Sequence, residues 1–496
     1  MNKRLTLDYG LRVSHLQPWY DRQGIGFAIF NPSVYSAAAA NGTQPGFEWH
    51  ANTSSVPLSG FPSRPLFYAP RFGLAYDLFG SGKTVIRGGI GQFRYHNAQF
   101  TQGLQPGQGI QTATVCCDLS FAGIEATNPG TQPFATAGVS SKDNESPLTT
   151  SYSFTISQRL PFASMLEASY VGNQSKYLLN TTGVGTNINV IPYGTLFNVG
   201  KDPSTVASGE YDYGPYPTYQ AVNIANHNLY SNYNALQVSW VRRRGKYDIT
   251  ANYTYGKSMG IVGADQLNLS QDYGPTPYDR RQIINAAYSV EMPNPVSQSD
   301  KILAGFVNGW QLSGITQLQS GVNLTGNSPG SDFNASGNIS SSLKVDNSYG
   351  SSVTDYSING TDQVPLTPLI TCNPTANLAP HQYVNGNCFT ISTTPGVNGP
   401  IVLPEYFGPW FFNSDLSMFK NFYITESKKL QFRFSAYNFM NHPIWSFSGA
   451  GPGSNSTYLD FGPGANGTAV NTNTAFGYTP IKLGNRIVQL ALKFYF

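Results

Sequence analysis

Val488-Gln489-Leu490-Ala491-Leu492-Lys493-Phe494-Tyr495-Phe496 closes the chain, and it alternates without a break. Val488, Leu490, Leu492, Phe494 and Phe496 fall on one side of an extended backbone, and Gln489, Ala491, Lys493 and Tyr495 fall on the other. Successive side chains of a strand point to opposite faces, so a period of two predicts a strand with one apolar and one wet face. The pattern recurs upstream. Leu430, Phe432, Phe434 and Ala436 oppose Gln431, Arg433, Ser435 and Tyr437; Tyr247, Ile249, Ala251, Tyr253 and Tyr255 oppose Asp248, Thr250, Asn252 and Thr254. Leu5, Leu7, Tyr9, Leu11 and Val13 oppose Thr6, Asp8, Gly10, Arg12 and Ser14, while helical periodicity is nearly absent.

About twelve such strands are expected, near 4–16, 67–79, 83–96, 150–160, 163–175, 232–243, 246–258, 281–292, 309–320, 412–422, 428–441 and 485–496. Most exceed the usual five or six residues and reach the roughly 9–11 that a tilted strand needs to cross a bilayer. The connections alternate. Gly80-Ser81-Gly82, Pro161-Phe162, Arg244-Gly245, 293–308 and the run from Tyr423 to Ser427 are short. Segments 17–66, 97–149, 176–231, 259–280, 321–411 and 442–484 are long and rich in Gly, Asn, Ser, Thr and Pro. A compact soluble domain rarely carries one structureless loop beyond about 15 residues, whereas tight turns at one end and long loops at the other belong to outer-membrane barrels. The expectation is an all-β antiparallel outer-membrane β-barrel, with 1–496 as one transmembrane domain. A secreted β-sandwich or propeller is the competing fold, with shorter strands and more uniform turns.

Composition agrees. Charged residues make up 11% of the 496 positions, against roughly 25% in ordinary soluble domains. Aromatics reach 14%, yet mean hydropathy stays at −0.25. A net charge of +3 excludes a charge-driven disordered chain and supplies no basic stripe for nucleic acid. No run of about 18 apolar residues is present to form a membrane helix. The start, Met1 to Tyr9, has no apolar stretch of the signal-peptide kind, so the chain reads as N-terminally incomplete.

Motifs for chemistry are sparse. Asp77 to Thr84 resembles a phosphate-binding G-x-x-x-x-G-K-[ST] loop, but Asp77 replaces the first Gly and the following residues alternate as a strand. A tight hairpin is the better reading. Six scattered His residues show no zinc spacing, and no G-x-S-x-G elbow occurs. Neither an enzyme nor a metal site nor a cofactor is expected. Cys372 and Cys388 lie close enough in one long segment for a local disulfide, whereas the pairing of Cys116 and Cys117 is open. The alternating aromatic end at Leu490, Leu492, Phe494 and Phe496 looks like the signal read by the outer-membrane barrel-assembly machinery.

Short signatures run along almost the whole chain: Leu5 to Arg12, Pro70 to Asp77, Val85 to Gly91, Glu167 to Gly172 and Asn232 to Gln237. They continue at Tyr253 to Lys257, Asp279 to Arg281, Gly309 to Gly314, Phe432-Arg433, Asn438 to Pro443 and Arg486 to Gln489. In order and spacing they resemble the C-terminal part of the TonB-dependent receptor superfamily, specifically its Oar-like barrels. Members of that family have a signal peptide, a TonB box, a plug domain and a 22-stranded barrel. The resemblance implies the barrel portion of a receptor importing a bulky nutrient (oligosaccharide, peptide or metal chelate), with the TonB complex as partner only through the missing N-terminal region. The alternative is a passive or structural barrel without energised transport; a soluble glycan-binding β-protein is a third reading. Alternation makes Asp8, Arg12, Arg71, Arg87, Glu167, Asp248, Arg433 and Lys493 candidates for the lumen, either as ligand contacts or as a ladder of paired charges. Tyr211, Tyr213, Tyr216 and Tyr219 are candidates for stacking on a ligand.

Overall fold

The computed structural model describes residues 4–38, 44–96, 134–180, 185–197, 209–261, 267–276, 278–297, 299–324, 334–339, 355–361, 363–364, 366–425, 428–447, 456, 458–464 and 468–496. Twelve long strands dominate it: β1 (Leu5–Ser14), β2 (Phe67–Asp77), β3 (Thr84–Arg94), β4 (Leu148–Leu160), β5 (Ser164–Asn180) and β6 (Tyr219–Arg244). The others are β7 (Tyr247–Ile261), β8 (Gln282–Glu291), β9 (Trp310–Gln319), β10 (Phe411–Tyr423), β11 (Lys429–Tyr437) and β12 (Ile487–Tyr495). Each pairs antiparallel with the next in chain order, giving an up-and-down meander from β1 to β12. Among the described residues no ladder joins β1 to β12, so the meander has two open edges.

Register carries one face across the whole meander. Leu492 lies opposite Phe432, Phe432 opposite Lys420, and Lys420 opposite Trp310. On that face Leu490 and Leu492 are 65% and 64% exposed, and Leu7, Leu11, Phe72, Ile90, Phe154 and Leu236 are exposed as well. Among the described residues no packed protein interior covers them. An apolar surface of this breadth far exceeds the few hundred Å² that a soluble monomer leaves in water, and hydrocarbon is the solvent it fits.

Turn chemistry sets the short end. The Asp77 carboxylate accepts from the Gly80 N–H (2.9 Å) and the Gly82 N–H (2.7 Å), and both glycines have positive φ. The hairpin's amides are thus turned onto a side chain of its own, in the place a bound phosphate would take in a phosphate loop. The short connection between β8 and β9, 293–308, contains a helix, α1 (Lys301–Val307), that the sequence reading did not expect.

Strand limits differ from the sequence reading most at β5 and β6. β5 continues to Asn180 through Tyr177, which has φ 55°. β6 runs 26 residues, and its register shifts between Tyr219 and Val222, between Asn226 and Leu229, and between Leu229 and Ser231. Each shift moves side chains to the other face, which erases the alternation that announces a strand. The first half of β6 leaves the meander and pairs with Phe134–Val139 and Thr186–Asn187.

The described parts of the long connections fold into a cap with its own cores. Phe30, Phe47, Tyr219, Val222 and Ile224 form one, and Ile29, Val56, Phe61, Val139 and Ala225 form a second. A third unites Leu324, Ile358, Val384, Phe389, Tyr406, Leu459, Phe461 and Phe476 from the connections before β10 and before β12. Backbone bonds from Gly194 N–H to Asn359 O and from Leu196 N–H to Gly360 O tie distant connections together. Cys372 and Cys388, 16 residues apart, form a disulfide beside the third core; Cys116 and Cys117 lie outside the described residues. Closing a loop of that size stabilises by about 3 kcal/mol in the chain-entropy account. Cys388→Ser is therefore expected to lower the unfolding free energy of this lobe by about that amount, seen as earlier proteolysis near residue 380 in a urea series.

Candidate functional site: the polar face and the cap

The second face of the meander is polar. By register, Asp8 opposes Gly73, Arg71 opposes Gly10, Arg87 opposes Thr155, Glu167 opposes Ser157 and Asp248 opposes Arg243. Arg433 opposes Phe419 and Lys493 opposes Gln431. All eight candidate charges thus share this face, but their surroundings divide them into three kinds. Arg87 Nη1 meets Glu167 Oε2 at 3.2 Å and Ser157 Oγ at 3.0 Å, and Ser157 donates to the same Glu167 oxygen at 2.7 Å. Asp248 and Arg243 form a looser, exposed pair at 3.6 Å. These two pairs are cross-strand ties worth well under 1 kcal/mol each where exposed. Arg71 lies over the Phe93 ring and Arg433 over Phe419, centroid distances of 4.5 and 5.3 Å. Asp8, Arg12 and Lys493 have no ion-pair partner among the described residues, and all three stand on the two edge strands.

A recess of about 500 Å³ opens on this face, lined among others by Arg243, Asp248, Thr250, Ser289, Asp415 and Phe419. It mixes both signs of charge with hydroxyls and the aromatic rings of Tyr288, Phe419 and Tyr437, a surface that can exchange hydrogen bonds with a polar solute without holding it as tightly as a buried pocket does.

The tyrosine cluster behaves differently from its reading as a ligand platform. Tyr219 is 0% exposed; it stands in the first cap core against Phe47, with its hydroxyl donating to Pro45 O at 2.8 Å. Burial, then the neighbouring Tyr35, pushes its phenol well above the usual range. A side chain so enclosed cannot stack on a solute. Tyr216 packs edge-on against Phe30 and Tyr35, while Tyr211 and Tyr213 are half-buried in a short 3-10 turn.

Two charge networks that sequence reasoning missed fasten the cap to the strands. Lys257 Nζ and Arg281 both meet Glu405, the first at 2.7 Å, and Arg281 Nε meets Asp279 at 2.8 Å. Asp279, only 1% exposed at its side chain, also accepts from the Ser258 N–H at 2.7 Å. Lys257 and the Asp279–Arg281 pair belong to two signatures quoted above; nothing in their spacing announces that they share Glu405, which comes from 124 residues further on. The second network centres on Glu145, reached by Arg64 (2.7 Å) and Arg94 (3.4 Å), with both guanidiniums over Phe67. Beside it Asp143 accepts from the His227 N–H and meets His227 Nδ1, each at 2.7 Å.

Burial works to raise the Asp143 carboxyl, but the hydrogen bond and charge of His227, with backbone N–H groups, hold it below its ordinary 3.8. A carboxylate depressed in the folded state stabilises at pH above its unfolded value and ceases to do so as pH falls through the folded one. The fluorescence of Trp19, which lines a separate small recess together with Asp143, Glu145 and His227, is therefore expected to stay constant above that range and to change below pH 3.8. The same titration of Asp143→Asn should be flat there.

Residues 1–489 match the family model described as an outer membrane beta barrel domain. The chain belongs to that family. Its place is the outer membrane, and the exposed face of Leu490 and Leu492 is the barrel's lipid-facing surface. Among solved structures it is similar to the outer membrane transporter YddB from Escherichia coli, at 10% identity and a TM-score of 0.38, over 87% of this chain and 41% of that one. It is also similar to the siderophore receptor PirA from Acinetobacter baumannii (9%, TM-score 0.37, 87% and 41%). The FrpB iron transporter from Neisseria meningitidis gives 9%, a TM-score of 0.36, and coverages of 87% and 39%. The barrel spans about two fifths of the length of these solved chains. None of the curated proteins compared with it matches. Among the described residues, no three His, Cys, Asp or Glu side chains converge as a metal site.

Proposed function

We propose that this chain is the barrel portion of an Oar-like, TonB-dependent outer-membrane receptor, which passes a bulky nutrient along the polar face of its strands. The observation that carries the reading is one sheet with an exposed apolar face, a charged polar face and a folded cap built from the long connections at one end. In this reading 1–496 is one barrel domain and a preceding region supplies the plug and the TonB contact. The open edges at β1 and β12 are continued by further strands, because unpaired backbone groups in hydrocarbon cost several kcal/mol each. The eight charges then line a lumen, and ligand selection falls to the cap and to Asp8, Arg12 and Lys493. The substrate class is an oligosaccharide, a peptide or a metal chelate.

The passive-barrel reading has one observation in its favour. Asp8 is the fourth residue of β1 and Lys493 the third from the end of β12, so opposite charges stand at similar heights on the two edges, as direct closure would want. Planar-bilayer recordings of the refolded chain separate the two. The receptor reading expects no steady conductance from this chain alone; a stable, open, unitary conductance would overturn it in favour of the self-closed pore.

A further inference from the structure

Helix α1 is short, yet it is held firmly. Asp300 caps it by accepting from the Leu303 N–H at 3.1 Å, and the Asn308 N–H closes its last turn on Ala304 O. The Asn308 side chain donates to Val296 O (2.7 Å) and accepts from the Val296 N–H (3.1 Å). The helix's final carbonyls are taken by the sheet: the Trp310 indole donates to Phe306 O at 2.8 Å, and Lys420 Nζ donates to Asn308 O.

Those two anchors define the side on which α1 lies. Trp310 and Lys420 are register partners on the same face as Phe432 and Leu492, the lipid-facing surface. What α1 turns outward is apolar: Ile302 at 78%, Phe306 at 66%, and also Leu303. Tyr423, Ile424 and Met292, at the same end of the strands, are exposed too. Between helix and strands runs a groove of about 480 Å³ lined by Met292, Pro293, Pro295, Val307, Leu312 and Met418. A sequence that caps and pins a helix while leaving its outer side apolar has a solvent for that side.

We propose that α1 is an interfacial helix, embedded in the phospholipid leaflet at the short-turn end of the barrel, and that the groove beneath it takes an acyl chain. The apolar side of α1 is continuous with the lipid-facing surface, so leaflet and strands present it with the same hydrocarbon. Lying in the interface plane, such a helix buries its apolar side to a depth of about 5–10 Å. It also resolves an oddity of the lipid face: Lys420, 3% exposed there, finds its acceptor in the helix's last turn and its cover in Phe422, whose ring centroid is 5.3 Å from Nζ. The proposal rests on the outer-membrane placement and not on the transport reading.

The test uses the full chain with Cys116 and Cys117 replaced by serine, carrying one fluorophore-labelled cysteine at Ile302, Phe306, Ser299 or Leu490, in vesicles of phosphatidylethanolamine and phosphatidylglycerol. Labels at Ile302 and Phe306 are expected to be quenched several-fold more by a nitroxide near the top of the acyl chain than by aqueous iodide. Ser299 should behave in the opposite way, and Leu490 should respond to nitroxides. If Ile302 and Phe306 are as open to iodide as Ser299 while Leu490 is quenched by nitroxide, α1 lies in water and the proposal fails. If Leu490 is open to iodide as well, the membrane placement itself fails. Protection at Ile302 that disappears as the protein is diluted in lipid identifies a second copy as the occupant and overturns the lipid assignment.

Discussion

Tyr219→Ala is expected to loosen the cap by about 3–5 kcal/mol, the range for removing a buried aromatic ring. The side chain is fully enclosed, with Phe47 edge-on at 5.7 Å and Phe30 at 6.5 Å, and its hydroxyl serves Pro45 O. Truncation leaves a cavity between three chain segments whose order depends on one another: 27–35, 44–49 and the first half of β6. Tyr219→Phe keeps the ring and loses one hydrogen bond, at about 1 kcal/mol. Amide exchange on the refolded protein in lipid should show protection lost in those segments for the alanine variant, with β7 to β12 unchanged. Equal protection in the alanine variant and the parent would show that this core does not hold the cap.

Ile90→Arg probes the other end of the design. Ile90 is half-exposed on the lipid-facing side, opposite Phe72 on β2 and Tyr152 on β4. It lies six residues above Thr84, about 20 Å along the strand. At a tilt near 40° that is about 15 Å of height, the middle of a hydrocarbon layer roughly 30 Å thick. An arginine there should cost about 2–4 kcal/mol in urea unfolding from lipid vesicles. Ser153→Arg, one strand away and on the polar face, should cost under about 1 kcal/mol because the guanidinium stays wet. Matching costs at the two sites would mean that the faces are not solvated differently, and the membrane assignment would be wrong.

Much of this barrel was legible in the residues. The alternation in Leu490 to Phe496, in Leu430 to Ala436 and in Tyr247 to Tyr255 marked the strands and their greasy sides, because side-chain direction in a strand depends only on position along it. The Asp77 to Thr84 hairpin was readable for a similar local reason, its two glycines supplying the turn. The eight charges could be assigned to one face by parity. Their partners could not: whether Arg87 meets Glu167 or Arg433 meets Phe419 depends on register between strands that no single strand records.

The cap escaped the reading altogether. Gly, Asn, Ser, Thr and Pro in the long segments look like open loop, yet Phe30, Val139, and Tyr219 with Ala225 come from three separate stretches to build its first two cores. Their apolar residues follow no period, since each meets neighbours brought by other segments. Glu405 joining Lys257 to Arg281 is the same case in polar form, and so is Tyr219, which looks like a surface aromatic until its neighbours are known. Strand identity and solvent preference are properties of consecutive residues, set by backbone geometry, and can be read off a one-dimensional string. What covers a loop, which charges pair and which aromatic is free to touch a solute are settled only when segments more than a hundred residues apart are folded against one another.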